Sequence, residues 1–196
     1  YEKIGIESYL DSYQVTVTLQ KAEGGAKQVL TAPLSFGSTP LYHDIADAQQ
    51  FKDVMTKYGQ NYENFRITGE IDLSQVSDVP LNLKINRLVG AGSGHTISNL
   101  SYQIQSQGQS LFQVLTGTME NLTFKDMTVT SASSSTVSGG ENVGLISINQ
   151  GEIRNTSFEN IAITAPSRSQ KTGLIGTNMG TVKNVNLKDI RITVTS

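Results

Sequence analysis

The sequence predicts a mainly β chain built as a right-handed parallel β-helix, with an N-terminal helix cap and a small β segment in front of it. Three observations carry that expectation. First, a twenty-residue unit is written three times, over residues 111–130, 145–164 and 174–193. Without gaps, the copies align Leu111/Leu145/Leu174, Gly117/Gly151/Gly180, Met119/Ile153/Val182, Asn121/Asn155/Asn184, Phe124/Phe158/Leu187, Asp126/Asn160/Asp189, Met127/Ile161/Ile190 and Val129/Ile163/Ile192. Second, the apolar positions fall two apart, the period of strands, and no helical stripe fits them. Third, the surplus residues between copies sit in one place, at 131–140, rich in Ser and ending in Gly139-Gly140, and at 165–171, which reads Ala-Pro-Ser-Arg-Ser-Gln-Lys. One such repeat cannot cover its own apolar face, so stacking on its neighbours is what stabilises it.

The elements follow in order. Residues 1–40 form a small N-terminal β segment: Tyr13 to Leu19 alternates, Gly24-Gly25 turns and Val29-Leu30 resumes, which predicts a hairpin. Pro33, Gly37 and Pro40 break the chain. Residues 41–196 are the helix-capped repeat region. Asp44 is the candidate N-cap of a helix whose apolar face is Ile45, Ala48, Phe51, Val54, Met55 and Tyr58, ending at Gly59. Its expected role is to cover the open end of the stack. Phe65-Arg66-Ile67, Glu70 to Ser74 and Leu81 to Ile85 read as the first strands, and Gly90 to Gly94 as a glycine-rich turn leading into His95.

At the Gly117/Gly151/Gly180 position the chain needs either a positive φ or close backbone approach. Asn121, Asn155 and Asn184 are expected to stack as an internal ladder of turn amides, with Asn99 as an earlier rung. The spacings are 22 residues from Asn99 to Asn121, then 34 and 29. The chain opens on Tyr1, not Met, and its last repeat ends at Thr193 with no capping segment, which points to a piece cut from a longer protein.

Composition narrows the functional classes. Charged residues make up 16% of the 196, the formal net charge is −2, and there is no cysteine. Disulfides and thiolate chemistry are thereby excluded, and no basic stripe with interleaved aromatics offers itself to nucleic acid. No run approaches the length of a membrane span.

A series of segments carries a resemblance. Asn61-Tyr62, Ile71-Asp72-Leu73-Ser74, Gly94-His95-Thr96-Ile97-Ser98-Asn99-Leu100, Ser110-Leu111-Phe112, Gly144-Leu145-Ile146 and Asn149-Gln150-Gly151-Glu152-Ile153-Arg154-Asn155 resemble the GLUG-type repeats of bacterial surface proteins. They most resemble the region preceding the catalytic domain in streptococcal zinc metalloproteases of the IgA1-protease type. The likeness spans residues 41–196; it departs at Gly90 to Gly94, where such sequences carry Asp-Gly-x-Gly before the His. The resemblance implies a secreted or cell-wall-attached protein of a Gram-positive bacterium. This segment would be non-catalytic and free of cofactors, joined to a zinc peptidase domain that acts on a host glycoprotein such as immunoglobulin A1. GLUG repeats also occur in adhesins, so a module binding matrix protein or glycan is the second reading, and a carbohydrate-active β-helix enzyme the third.

Candidate chemistry is sparse. His-Glu-x-x-His is absent, and His43 and His95 have no partner His nearby in sequence, so both are expected to serve structure. Glu70 and Asp72 flank Ile71 and make at best a carboxylate pair or weak Ca²⁺ site, with a solvated strand face the plainer reading. Glu120, Arg154 and Lys183 share one repeat position with mixed sign, unlike a lyase cluster. Gly90 to Gly94 lacks the helix and Lys-Ser/Thr of a phosphate cradle. Asn121-Leu122-Thr123 and Asn155-Thr156-Ser157 match N-glycosylation acceptors but are set aside as interior rungs. No catalytic, metal or cofactor residue is assigned. The contact surfaces expected are the loops 131–142 and 165–172.

Overall fold

The computed structural model describes residues 13–20, 27–34, 41–104, 110–131, 142–166 and 171–195. Backbone contacts divide the chain into two units, residues 1–40 and 41–196. In the first, β1 (Tyr13–Gln20) pairs antiparallel with β2 (Lys27–Leu34), Tyr13 opposite Leu34 and Gln20 opposite Lys27. The Gly24-Gly25 turn lies outside the described residues.

The second unit is mainly β, with its strands paired in parallel. It opens with β3 (His43–Ile45), α1 (Ala48–Tyr58), β4 (Glu63–Ile67), β5 (Ile71–Asp72) and a 3₁₀ turn over Leu73–Gln75. Then come β6 (Leu83–Gly90), β7 (His95–Ser98), β8 (Ser101–Ile104), β9 (Phe112–Leu115) and β10 (Thr118–Ser131). They are followed by β11 (Asn142–Val143), β12 (Ile146–Asn149), β13 (Glu152–Pro166), β14 (Lys171–Thr172), β15 (Ile175–Asn178) and β16 (Thr181–Thr195). Twelve of these strands share one sheet, whose main path runs β15-β12-β9-β6-β10-β13-β16. The small pair β11 and β14 stands apart from it.

The repeats set the register. Met119, Phe124 and Val129 of β10 lie beside Ile153, Phe158 and Ile163 of β13, which lie beside Val182, Leu187 and Ile192 of β16. The offsets are those of the repeat alignment, 34 and then 29, and β9, β12 and β15 pair with the same offsets. Strand alternation explains the core: Leu122 and Phe124 point inward and are buried, while Thr123 and Lys125 between and after them are not. Phe112 of β9 meets Phe124 edge-on at 5.9 Å, and Phe124 stacks on Phe158 at 5.4 Å, joining both strand stacks in one core.

Each long strand bends at two residues in the left-handed region: Asn121 and Asp126 in β10, Asn155 and Asn160 in β13, Asn184 and Asp189 in β16. Asn and Asp adopt that conformation at least cost among residues with a Cβ. Pairing skips these positions and resumes after them.

Two expectations need correction. Asp44 does not cap the helix. It sits in β3, where parallel pairing with β4 brings it to Arg66 in a two-pronged ion pair at 2.7 Å. The cap is Asp47, whose carboxylate accepts from Gln50 N at 2.8 Å. The expected face otherwise holds, with Ala48, Phe51 and Met55 buried in the core beside Ile45 and Phe65.

The Asn ladder is the second. It is on the outside: Asn99, Asn155 and Asn184 are exposed and Asn121 half-buried. The left-handed bend that spares the backbone also turns these side chains away from the core. Asn99 is also one corner out of place, because Leu122 pairs with His95 and Thr128 with Ser101, which sets Asn99 level with Asp126. The residue level with Asn121 is Gly94, with φ of +104°. Asn155 therefore acts mainly through its backbone, its amide oxygen adding one exposed bond accepted from Asn184 Nδ2 at 3.3 Å. We expect Asn155→Ala to cost about 1 to 2 kcal/mol and Asn155→Gly much less, in urea unfolding; equal losses would return the weight to the amide.

Candidate functional site

The outward face between the two bends gathers polar side chains in rows. Parallel pairing aligns Thr96, Thr123, Ser157 and Asn186 in one row, and Ser98, Lys125, Glu159 and Lys188 in the next. At the β7 end of the first row lies an open groove of about 350 Å³, lined among others by Ser93, His95, Thr96, Asn121, Thr123 and Asn155. The glycine-rich turn forms its wall. A Cβ at Gly90 or Gly94 would run into the Asn121 carbonyl, so these glycines let β10 approach closely rather than cradle an anion.

Behind the groove, Glu70 accepts from Thr96 N at 2.9 Å and lies 3.3 Å from His95 Nδ1. Burial alone raises the Glu70 pKa, but the Thr96 hydroxyl and amide together with His95 bring it below the ordinary carboxylate value. Asp72 does not share a site with it. Its carboxylate accepts from Asn99 Nδ2 at 2.9 Å and from the Ser74 hydroxyl and amide at 2.7 and 3.1 Å, and the Asn99 bond foremost holds its pKa down to about 2. Each acid thus has its own donors, and among the described residues no group of three or more His, Asp or Glu is placed to hold a metal.

That depressed pKa carries a sign. Because the folded value lies below the unfolded one, Asp72 stabilises the fold above about pH 4, and the contribution fades as pH falls through about 2. The stability gap between the natural chain and Asp72→Asn is therefore expected to shrink over that interval in pH-dependent urea unfolding. A constant gap would contradict it.

The remaining candidates lie elsewhere, among neighbours of their own. His43 stacks on Tyr58 at 4.1 Å, and its Nε2 lies 4.0 Å from Glu63. The mixed-sign position forms a chain of ion pairs across the repeats: Arg154 Nε to Glu120 at 2.6 Å, Arg154 to Glu152 at 3.4 Å, and Lys183 to Glu152. At the second bend, Asn160 Nδ2 donates to Asp126 at 2.6 Å. The acceptor sequence at Asn155 is exposed rather than interior, although its Thr156 is buried and bonds the Arg154 carbonyl. Residues 132–141 and 167–170, the bulk of the two expected contact loops, lie outside the described residues.

The polar row Thr96-Thr123-Ser157-Asn186 escaped the sequence reading, since its members are not identical. Its signal was there: polar residues at one fixed offset from the shared Asn, at Thr123, Ser157 and Asn186. Among the described residues no helix is long and apolar enough to cross a membrane. No protein-family model, curated protein or solved structure matches the chain.

Proposed function

We propose that residues 41–196 form a right-handed parallel β-helix that serves as a non-catalytic recognition or positioning module of a bacterial surface metalloprotease acting on host immunoglobulin or another glycoprotein. Right-handedness follows from the preference of parallel crossover connections. The stacking of repeats at fixed offsets, with α1 packed over the first strands, supports the solenoid. One observation carries the functional reading. Three carboxylates on the outward strand faces are occupied by neighbours from the next repeat: Glu120 by Arg154, Asp126 by Asn160 and Glu152 by Lys183. Such pairing builds a rigid wall of polar groups, suited to presenting hydrogen bonds and not to a free acid/base pair. The resemblance to the region before the catalytic domain of IgA1-type peptidases supplies the parent enzyme, the extracellular setting and immunoglobulin A1 as the first partner to try.

The open row of hydroxyls and amides beside His95 favours a second reading, an adhesin module that binds glycan or matrix protein directly. Biolayer interferometry of the chain against human immunoglobulin A1, matrix proteins and a glycan panel separates the two. The proposal expects binding to the immunoglobulin that Thr123→Arg weakens about tenfold or more, by pushing a bulky charge into the polar row. Binding to glycan or matrix alone would transfer the function to the adhesin, and silence across the panel would overturn both.

A further inference from the structure

We infer that the edge of β16 turned away from β13, unpaired among the described residues, is a docking surface, and that its occupant is a further strand of the same repeat pattern, laid parallel on β16 in the register that β16 keeps on β13. The argument starts from a row of apolar side chains that is covered in two strands and uncovered in the third. Met119, Phe124 and Val129 of β10 are 0%, 1% and 0% exposed, and Ile153, Phe158 and Ile163 of β13 are 0%, 2% and 1% exposed. Their counterparts Val182, Leu187 and Ile192 are 41%, 58% and 47% exposed, and Val194 is 58% exposed. Contiguous apolar surface beside an unpaired strand edge is the signature of strand addition.

The polar ladders say which strand fits. In the three repeat-to-repeat amide contacts at the bends, the later repeat donates and the earlier accepts: Asn99 Nδ2 to Asp72 Oδ1, Asn160 Nδ2 to Asp126 Oδ1 and Asn184 Nδ2 to Asn155 Oδ1. A strand over β16 continues this by placing an Asn over Asn184 and another over Asp189, each bent in the left-handed region. It also brings an apolar residue beside each of Val182, Leu187 and Ile192. That is the pattern of β13. An antiparallel second copy fits poorly. Matching its bends, Asn184 against Asp189, would put Val182 across from Arg191 and Val185 across from Lys188, with charges on the apolar row. The inference rests on the parallel pairing alone and stands whether or not the module binds a host protein.

The test extends the full chain. A copy of residues 139–166 appended directly after Ser196 puts its Glu152 equivalent 29 positions beyond Thr181, the offset by which β16 follows β13. It also sets its Asn160 equivalent over Asp189. Native-state hydrogen exchange is read at the β16 amides in the natural chain, in the extended chain, in a chain with the same 28 residues scrambled, and in the extended chain carrying Leu187→Asp. Leu187 is exposed, so that substitution spares the unextended fold. The expected result is a slowing of about tenfold or more with the repeat extension, absent from the scrambled chain and abolished by Leu187→Asp. Unchanged exchange on extension, or protection that survives Leu187→Asp, would overturn the inference. So would a concentration-dependent dimer of the natural chain that itself protects β16.

Discussion

Phe124→Ala is expected to destabilise the second unit by about 3 to 5 kcal/mol, the cost of removing a fully buried aromatic ring from a core that cannot collapse around the gap. Phe124 is 1% exposed, stacks on Phe158 with an interplanar angle of 13°, and meets Phe112 of the opposing strand stack edge-on. Its loss therefore weakens the contact between repeats and the contact between stacks together. The matching residue of the last repeat, Leu187, is largely exposed, and Leu187→Ala is expected to cost under about 1 kcal/mol. Urea unfolding followed by far-UV circular dichroism reads both. Similar losses at the two positions would mean that the rings do not bridge the core as described.

Gly151→Ala is expected to cost about 3 kcal/mol or more, although it adds a single methyl group. The glycines of the repeat form a column in which Gly117, Gly151 and Gly180 lie against one another's backbone. A Cβ at Gly151 would overlap the Gly117 carbonyl, and one at Gly180 would overlap that of Gly151. The obstruction is main chain and cannot swing aside. It also carries ladder bonds, since Glu152 N donates to Gly117 O at 2.7 Å and Thr181 N to Gly151 O at 2.8 Å. Gly173→Ala is the control, because the nearest atom to its Cβ is 3.4 Å away. A melting temperature for Gly151→Ala equal to that control would show that the repeats stand further apart than described.

Much of this arrangement was written in the repeats. Gly, apolar and Asn/Asp positions recurring at fixed offsets gave the register of β10, β13 and β16, since each residue type answers a constraint that its neighbours share. The glycine column resolves the choice left open at that position: close approach, not a positive φ, excludes a side chain there. What could not be read was any feature decided by three-dimensional competition. Asp44 and Asp47 are both able to cap a helix, and pairing of β3 with β4 settled which was free to do so. Asn99 was matched by its identity to Asn121, but apolar packing set the register, with Ile97 beside Phe124. The turn from Gly90 to Gly94 absorbs the difference. Whether the left-handed Asn side chains faced in or out depended on the direction of the bend, which residue type alone does not encode. The groove beside His95 was invisible for the same reason, as its walls come from β7, β10 and β13 and from a turn whose glycines serve the backbone behind them.

The most direct test of the account is disulfide trapping of the repeat register, made clean by the absence of cysteine from the chain. Lys125 and Glu159 are paired neighbours on the outward face, whereas Ser157 is two positions along the same strand. Lys125→Cys combined with Glu159→Cys is expected to close an intramolecular disulfide under mild oxidation, because neighbouring strands hold paired Cα atoms within the roughly 4.4–6.8 Å that the bond requires. Lys125→Cys combined with Ser157→Cys, at a diagonal of about 7–8 Å, is expected to stay reduced. Closure of the second pair as readily as the first would contradict the parallel stack of repeats on which the fold, the groove and the docking edge all depend.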